Sequence, residues 1–251
     1  MNSTRKIIGG FLGQFALVAS LVLAPISPAA AATDKLPDLR MAHPTNIYLE
    51  KTSSGRRLLR FDSIVVNVGT GAFEAAGSAK VADEMTTIQQ RIYNTEGGFR
   101  DQSISGTRMY WGRDGHNHWH LRDLETYSLN RLDNGAQVGT GAKHGFCFFD
   151  NVAHRTDLPN APRTAQYQGC GNFGDSSVVM GLSVGWGDLY GASLPDQFID
   201  ITNLKAGRYR LHATADEQKW FVEQNNTNNH TWVDLQIKGN SVTVTQKGPG
   251  A

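Results

Sequence analysis

Cysteine is almost missing from this chain: Cys147 and Cys170 are the only two in 251 residues. Room therefore exists for one disulfide at most, and an even count in an exported chain suggests that one forms. It would close a loop of about 24 residues and stabilise by roughly 3 kcal/mol in the chain-entropy account. An excess of charge is lacking as well. Twenty-four Lys and Arg face 23 Asp and Glu, and without a basic cluster nothing supports nucleic acid as a partner. No ten-residue stretch carries convincing helical periodicity, no repeat is visible, and no shift in composition marks a second domain.

The first residues form a separate unit of meaning. Arg5 and Lys6 precede an apolar run over 7–23, interrupted by small and polar residues, and four alanines at 29–32 offer a cleavage site. This pattern is that of a secretory signal peptide over residues 1–32, leaving a single domain over 33–251. Its interrupted apolar run is a poor membrane anchor, so no membrane attachment is expected after cleavage. No cysteine stands at the cleavage site to take a lipid. The expected location is secreted or extracellular.

The remainder reads as strands and turns. Residues 57–69 are β-branched and end in Gly-Thr-Gly, 85–94 alternate, and 107–111 lead towards a histidine cluster. Residues 123–132 continue as the expected hairpin partner of the histidine strand, closed by Asp133-Asn134-Gly135. Further strands fall at 145–149, 196–201, 208–215 and, in two pieces, 231–244. Between them, 152–194 is rich in Gly, Asn, Asp and Ser, and a stretch that long without periodicity is usually functional or disordered. The expected fold is all-β, a β-sandwich of about seven to nine short antiparallel strands with one long irregular loop region carrying site residues.

The most specific signal is Gly115-His116-Asn117-His118-Trp119-His120, three of the eight histidines at alternate positions. On an extended strand alternate side chains share a face, so His116, His118 and His120 project together, whereas on a helix they would diverge. Three neutral imidazoles suit copper, zinc, nickel or iron, with copper(II) the tightest of the divalent series. Three protein ligands leave a position open, as in a catalytic site.

Taken with these segments, the chain resembles the catalytic domain of the lysyl oxidases, copper amine oxidases whose quinone is built from their own lysine and tyrosine. The resemblance runs from Leu36-Pro37-Asp38-Leu39 through Leu59-Arg60-Phe61, Asn67-Val68-Gly69-Thr70 and the histidine triplet. It continues in Gly141-Ala142-Lys143-His144-Gly145-Phe146-Cys147, Asp188-Leu189-Tyr190-Gly191-Ala192, Ile199-Asp200-Ile201-Thr202 and Thr227-Asn228-Asn229. It implies Cu(II) on His116, His118 and His120, and a lysine tyrosylquinone made from Lys143 and Tyr190. Copper-bound tyrosine becomes reactive to dioxygen, and a neutral, desolvated lysine amine adds to the product. The implied reaction converts a primary amine, free or in a lysine-containing protein, to an aldehyde with release of ammonia and hydrogen peroxide. Asp188 is the candidate base and His144 a candidate helper or copper neighbour.

A second cation is implied too. The resemblance places calcium on Asp38, Leu39, Glu223, Asn225, Asn228 and Asn229, hard oxygen donors that suit that ion; Asn225 stands where relatives carry aspartate. The Asn-rich turn at 223–229 is equally compatible with a turn that satisfies its own backbone. Animal relatives have several disulfides here, against one possible pair in this chain. Two other readings of the residues stay open: an extracellular copper-binding sandwich without catalysis, and a calcium-stabilised carbohydrate-binding sandwich.

Overall fold

Apolar and polar residues alternate between turn signals throughout, and an extended chain sends such alternating side chains to opposite faces. The computed structural model describes residues 1–2, 31–113 and 117–251, and its described residues contain 19 strands and no helix. In chain order the strands are β1 (Asp34–Lys35), β2 (Leu39–Met41), β3 (Thr45–Lys51), β4 (Arg57–Asn67), β5 (Phe73–Val81), β6 (Glu84–Asn94) and β7 (Phe99–Ile104). Next come β8 (Met109–Trp111), β9 (Trp119–Arg122), β10 (Glu125–Arg131), β11 (Gln137–Thr140), β12 (Gly145–Phe146) and β13 (Val152–Ala153). The last are β14 (Val178–Leu182), β15 (Trp186–Tyr190), β16 (Phe198–Asp200), β17 (Gly207–Ala215), β18 (His230–Lys238) and β19 (Ser241–Lys247).

Three antiparallel sheets result. One runs β12-β9-β8-β6-β5-β14, with β1 and β7 also on β6; a second runs β11-β10-β17-β18-β19; the third runs β13-β15-β4-β16, with β2 and β3 also on β4. The second and third sheets face each other. Phe61 of β4 meets Tyr127 of β10 edge to face, with ring centroids 5.0 Å apart. Leu59, Phe61 and Ile199 from one sheet and Leu129, Leu211 and Leu235 from the other are fully buried between them. Stacking two such half-apolar sheets is how this sequence buries its core. The residues Ala32–Ala251 form one compact unit.

Three expectations need correction. Residues 123–132 do not return along the histidine strand. Asp123 adopts a left-handed φ of 55°, which turns the chain out of β9. β10 then pairs with β11 and β17, while β9 lies between β8 and β12. Nor is 152–194 irregular throughout, for β14 and β15 form within it. Two of the glycines that suggested a loop, Gly181 and Gly187, are instead places where strands approach closely: a Cβ at Gly187 would stand 2.8 Å from the carbonyl of Val65. Finally, short strands at 45–51, 73–81 and 99–104 carry the count well beyond nine.

Residues 3–30, most of the expected signal peptide, and His116 lie outside the described residues. Among the described residues no helix is long and apolar enough to cross a membrane.

Candidate functional site

The described part of the histidine segment leads into β9, which pairs with β8, and the strand begins later than alternation alone suggests. The amide of Gly112 donates to the carbonyl of His118 (3.0 Å), so His118 sits at a bend and β9 starts at Trp119. Even so, His118 and His120 converge, with ring centroids 4.7 Å apart and planes at 86°. Trp119 points the other way, fully buried, and its indole donates to the carbonyl of Asn172 (2.9 Å). Tyr110, opposite His120 on β8, packs against its ring at 5.4 Å. Since His116 falls outside the described residues, no group of three or more His, Cys, Asp or Glu poised for a metal occurs among the described ones. Two imidazoles at right angles, with Tyr110 packed against the ring of His120, nevertheless form a donor set that suits copper.

Lys143 comes from the β11–β12 connection, which is pinned at both sides. The amides of Gly141 and Ala142 donate to the carbonyls of Tyr127 (2.9 Å) and Phe198 (3.0 Å). On the other side the Asp123 amide donates to the His144 carbonyl (2.8 Å), and the His144 ring meets the Asp123 carboxylate at 2.7 Å. The His144 side chain is 64% exposed. Gly145 then lies flat against the histidines: a Cβ there would come within 2.9 Å of His120 Nδ1 and closer still to the Tyr110 hydroxyl.

Tyr190 ends β15, opposite Ser63 of β4. Its hydroxyl donates to the carbonyl of Cys147 (2.8 Å), and Phe146 packs on its ring edge to face at 5.1 Å. Lys143 Nζ stands 5.2 Å from the centroid of that ring and 5.4 Å from the Phe146 ring. Both Lys143 and Tyr190 are buried. The two residues singled out from different segments are thus brought into contact. The Cys147–Cys170 disulfide forms, with Cα atoms 5.7 Å apart. It ties the carbonyl that receives Tyr190 to one that receives the amide of Trp119 (3.0 Å).

Two buried carboxylates border the pair. Asp188 is on the same face of β15 as Tyr190. Its Oδ1 accepts from Asn151, and its Oδ2 has no hydrogen-bond partner among the described residues. Burial pushes its carboxyl well above the usual range, against the opposing pull of the Tyr190 hydroxyl, Asn151 and the Lys143 charge. Burial likewise holds the Tyr190 phenol well up, with Asp188 and Glu125 adding to it.

Glu125 was not expected in the site. Its Oε2 accepts from Tyr127 (2.7 Å) and Ser63 (3.5 Å), and Gln197 donates to Ser63 (3.3 Å). Burial lifts the Glu125 carboxyl to about 8, despite hydrogen bonds from Tyr127 and Ser63 and the nearby charge of Lys143. A signal was available: Glu125 falls in the inward register of β10 with Tyr127 and Leu129, where a charged residue is out of place.

The calcium candidates also gather. The Leu39 amide and the Asn229 amide group both donate to Glu223, and Asn228 donates to Asp38 (3.2 Å). Asp38 Oδ1, Asn228 Oδ1, Asn229 Oδ1 and the unexpected Asn226 Oδ1 are buried without partners among the described residues. Buried oxygens left unpaired are costly, and a hard cation would satisfy them. Asn225 stands apart, exposed, with its Oδ1 taken by Thr227 (2.9 Å to the amide).

With this geometry in place, comparison with known proteins is informative. Residues 76–247 match the sequence profile of the family described as "Lysyl oxidase". "Lysyl oxidase homolog 3" of Homo sapiens is 27% identical over 189 residues, 75% of this chain and 20% of that protein. "Lysyl oxidase homolog 2" of Gallus gallus is 29% identical over 179 residues, 71% of this chain and 18% of that protein. "Lysyl oxidase homolog 1" of Homo sapiens is 31% identical over 131 residues, 52% of this chain and 21% of that protein. The chain spans about a fifth of the length of these curated relatives. The profile covers most of the compact β unit, including the histidine hairpin, Lys143 and Tyr190, and this chain belongs to the lysyl oxidase family.

Proposed function

We propose that residues 33–251 are a secreted copper amine oxidase of the lysyl oxidase type, and that residues 1–32 are its signal peptide. It would oxidise peptidyl lysine or small primary amines to aldehydes, releasing ammonia and hydrogen peroxide. One observation carries the reading: the amine of Lys143 lies 5.2 Å from the centre of the Tyr190 ring, with both side chains buried. A chance surface lysine has no reason to be desolvated against a buried phenol.

His116, His118 and His120 would hold copper, Lys143 and Tyr190 would make the quinone, and together these would supply a two-electron oxidant that dioxygen regenerates. The chain's own residues do the rest. Phe146 and Phe148 wall the Tyr190 ring at 5.1 and 6.4 Å and keep water from it. The Cys147 carbonyl fixes the direction of the phenol. Lys143 would add to the ring as the neutral amine. Asp188, two residues before Tyr190 and raised by burial, takes the proton from the substrate's α-carbon at Oδ2. Calcium would sit remote from this chemistry, on Asp38, the Leu39 carbonyl, Glu223, Asn228 and Asn229, joining β2 to the 223–229 turn. Asn225 contributes only if its side chain leaves Thr227.

The test is peroxide release from a primary amine by the copper-loaded protein, beside His118→Ala and Tyr190→Phe. Loss in both variants, with a Lys143–Tyr190 cross-linked peptide in the mass spectrum of the wild type alone, is the expected result. Equal activity in all three refutes it. A copper-binding wild type with no cross-link would leave a non-catalytic copper protein.

A further inference from the structure

A cleft of about 480 Å³ opens beside Lys143, lined among others by Asp123, Glu125, Tyr127, Glu217 and Trp220. Neither Tyr190 nor Asp188 is among its lining residues, so the buried carboxylate that borders this cleft with Lys143 is Glu125. Two more acids frame the mouth. Glu217 is exposed and held by the Thr126 hydroxyl (2.8 Å), and Asp123 is turned towards His144. Once Glu125 is ionised the cleft carries three carboxylates, which favour a cation, and for an amine oxidase that is the substrate ammonium.

An ammonium is the wrong form for reaction. An alkylamine carries its proton up to a pKa of about 10.4, and only the neutral amine is a nucleophile. We propose that Glu125 is the acid–base residue of this cleft, taking the proton that an arriving ammonium must lose before its nitrogen can attack, a role that rests on the amine-oxidase reading above. The step is a proton transfer: an N–H bond of the substrate breaks, an O–H bond forms at Glu125 Oε1, the electron pair stays on nitrogen, and nothing is oxidised. Asp188 keeps the separate task at the α-carbon.

The geometry suits the task. Glu125 is 1% exposed, and its two oxygens are in different states. Oε2 is anchored by Tyr127 and Ser63, while Oε1 is buried with no partner among the described residues. One oxygen fixes the side chain and the other is left to receive a proton. Burial brings the carboxyl up to about 8, much nearer the amine's own value than an exposed glutamate would be, so the transfer is better balanced. The charged and titratable groups around Glu125 are Tyr127 on its own strand, Lys143 from the β11–β12 connection, and Asp188 and Tyr190 from β15. Asp123, His144, His212 and Glu217 line the same cleft. Because the ionised form is required, kcat/KM for an alkylamine should rise with pH and level off once the buried Glu125 carboxyl is ionised, well above the pH at which an exposed glutamate titrates.

The experiment uses the copper-loaded holoenzyme and its Glu125→Gln and Glu125→Asp variants, with two readouts. The first is the mass of a phenylhydrazine adduct on the Lys143–Tyr190 peptide. Phenylhydrazine is already neutral at neutral pH and needs no base to attack. The second is the pH profile of kcat/KM for butylamine. Glu125→Gln should form the adduct as the wild type does, yet lose about 10²- to 10⁴-fold in kcat/KM together with the acidic limb. Glu125→Asp, which keeps a carboxylate one methylene shorter, should retain the limb at a lower rate, and it decides the matter if the glutamine variant fails to fold. Wild-type kcat/KM and profile in Glu125→Gln overturn the proposal, as does an adduct-forming Glu125→Asp without the limb. Loss of the adduct in Glu125→Gln alone overturns it too, by placing Glu125 in quinone formation. No adduct on the wild type overturns the amine-oxidase reading itself.

Discussion

Replacing Gly145 with alanine probes how closely the Lys143 segment is fitted to the histidine hairpin. The added methyl would stand 2.9 Å from His120 Nδ1 and 2.8 Å from Tyr110 Cζ, and nearer again to the Tyr110 hydroxyl. Gly145 is not in the left-handed region, so backbone strain adds nothing and the effect is one of contact alone. Something must move. The β12 backbone is held to Arg122 and Leu121 of β9, so the rings of Tyr110 and His120 are what yield. Overpacking of this kind costs about 1–3 kcal/mol. Displacing a supporting group around a metal ligand typically costs 10- to 100-fold in affinity. Gly145→Ala should therefore bind copper about 10- to 100-fold more weakly in a chelator competition and unfold at lower urea. Gly174→Ala is the control, because a Cβ there meets nothing within 4 Å. Wild-type copper affinity in Gly145→Ala would refute the claim that the Lys143 segment props His120.

Three other outcomes are expected. Removing the disulfide with Cys147→Ser and Cys170→Ser should cost about 3 kcal/mol in urea unfolding; a loss under about 1 kcal/mol would show that the loop is held by packing instead. Calcium at 100 times its Kd should add about 2.7 kcal/mol, or about 5–10 °C in Tm. Asp38→Asn with Glu223→Gln should abolish that shift, and a wild-type Tm indifferent to calcium would dismiss the site. Glu125 makes the metal-free protein pH-sensitive. Its folded pKa of about 8 lies above the ordinary 4.5, so the native state holds the proton more tightly and stability falls as pH rises between those values. Unfolding in urea at pH 5 and pH 8.5 should differ more for the wild type than for Glu125→Gln, by an amount on the order of several kcal/mol; equal differences would contradict the burial of this carboxylate.

Much of this architecture can be read from residue pattern. The strand at β4 follows from its β-branched run, β17 and β18 from their alternation, and the β10–β11 turn from Asp133-Asn134-Gly135, whose Gly135 takes the left-handed φ of 72° that such a turn needs. What pattern does not convey is which strands pair. A single left-handed residue, Asp123, sends β10 to another sheet. Glycine misleads in the other direction: at Gly181 and Gly187 it marks crowded strands, although in sequence it looks like loop. Lys143 and Tyr190 became notable only through the family resemblance, since a lone lysine or tyrosine carries no periodic signal. Glu125 shows in the sequence only as a charge on an inward face of β10, which alternation by itself does not tell apart from a buried structural carboxylate.

Tyr190 is seated in a paired strand and not on a free loop. Folding alone therefore sets the phenol in front of the lysine, and little further travel is required of it. A bond between the two would then brace the molecule as well as equip it, closing a ring about twice that of the disulfide and fastening β15 to the β11–β12 connection. A cross-linked copy of the chain should on that account be sturdier than one without the bond, so that heating a mixed preparation would enrich the cross-linked form.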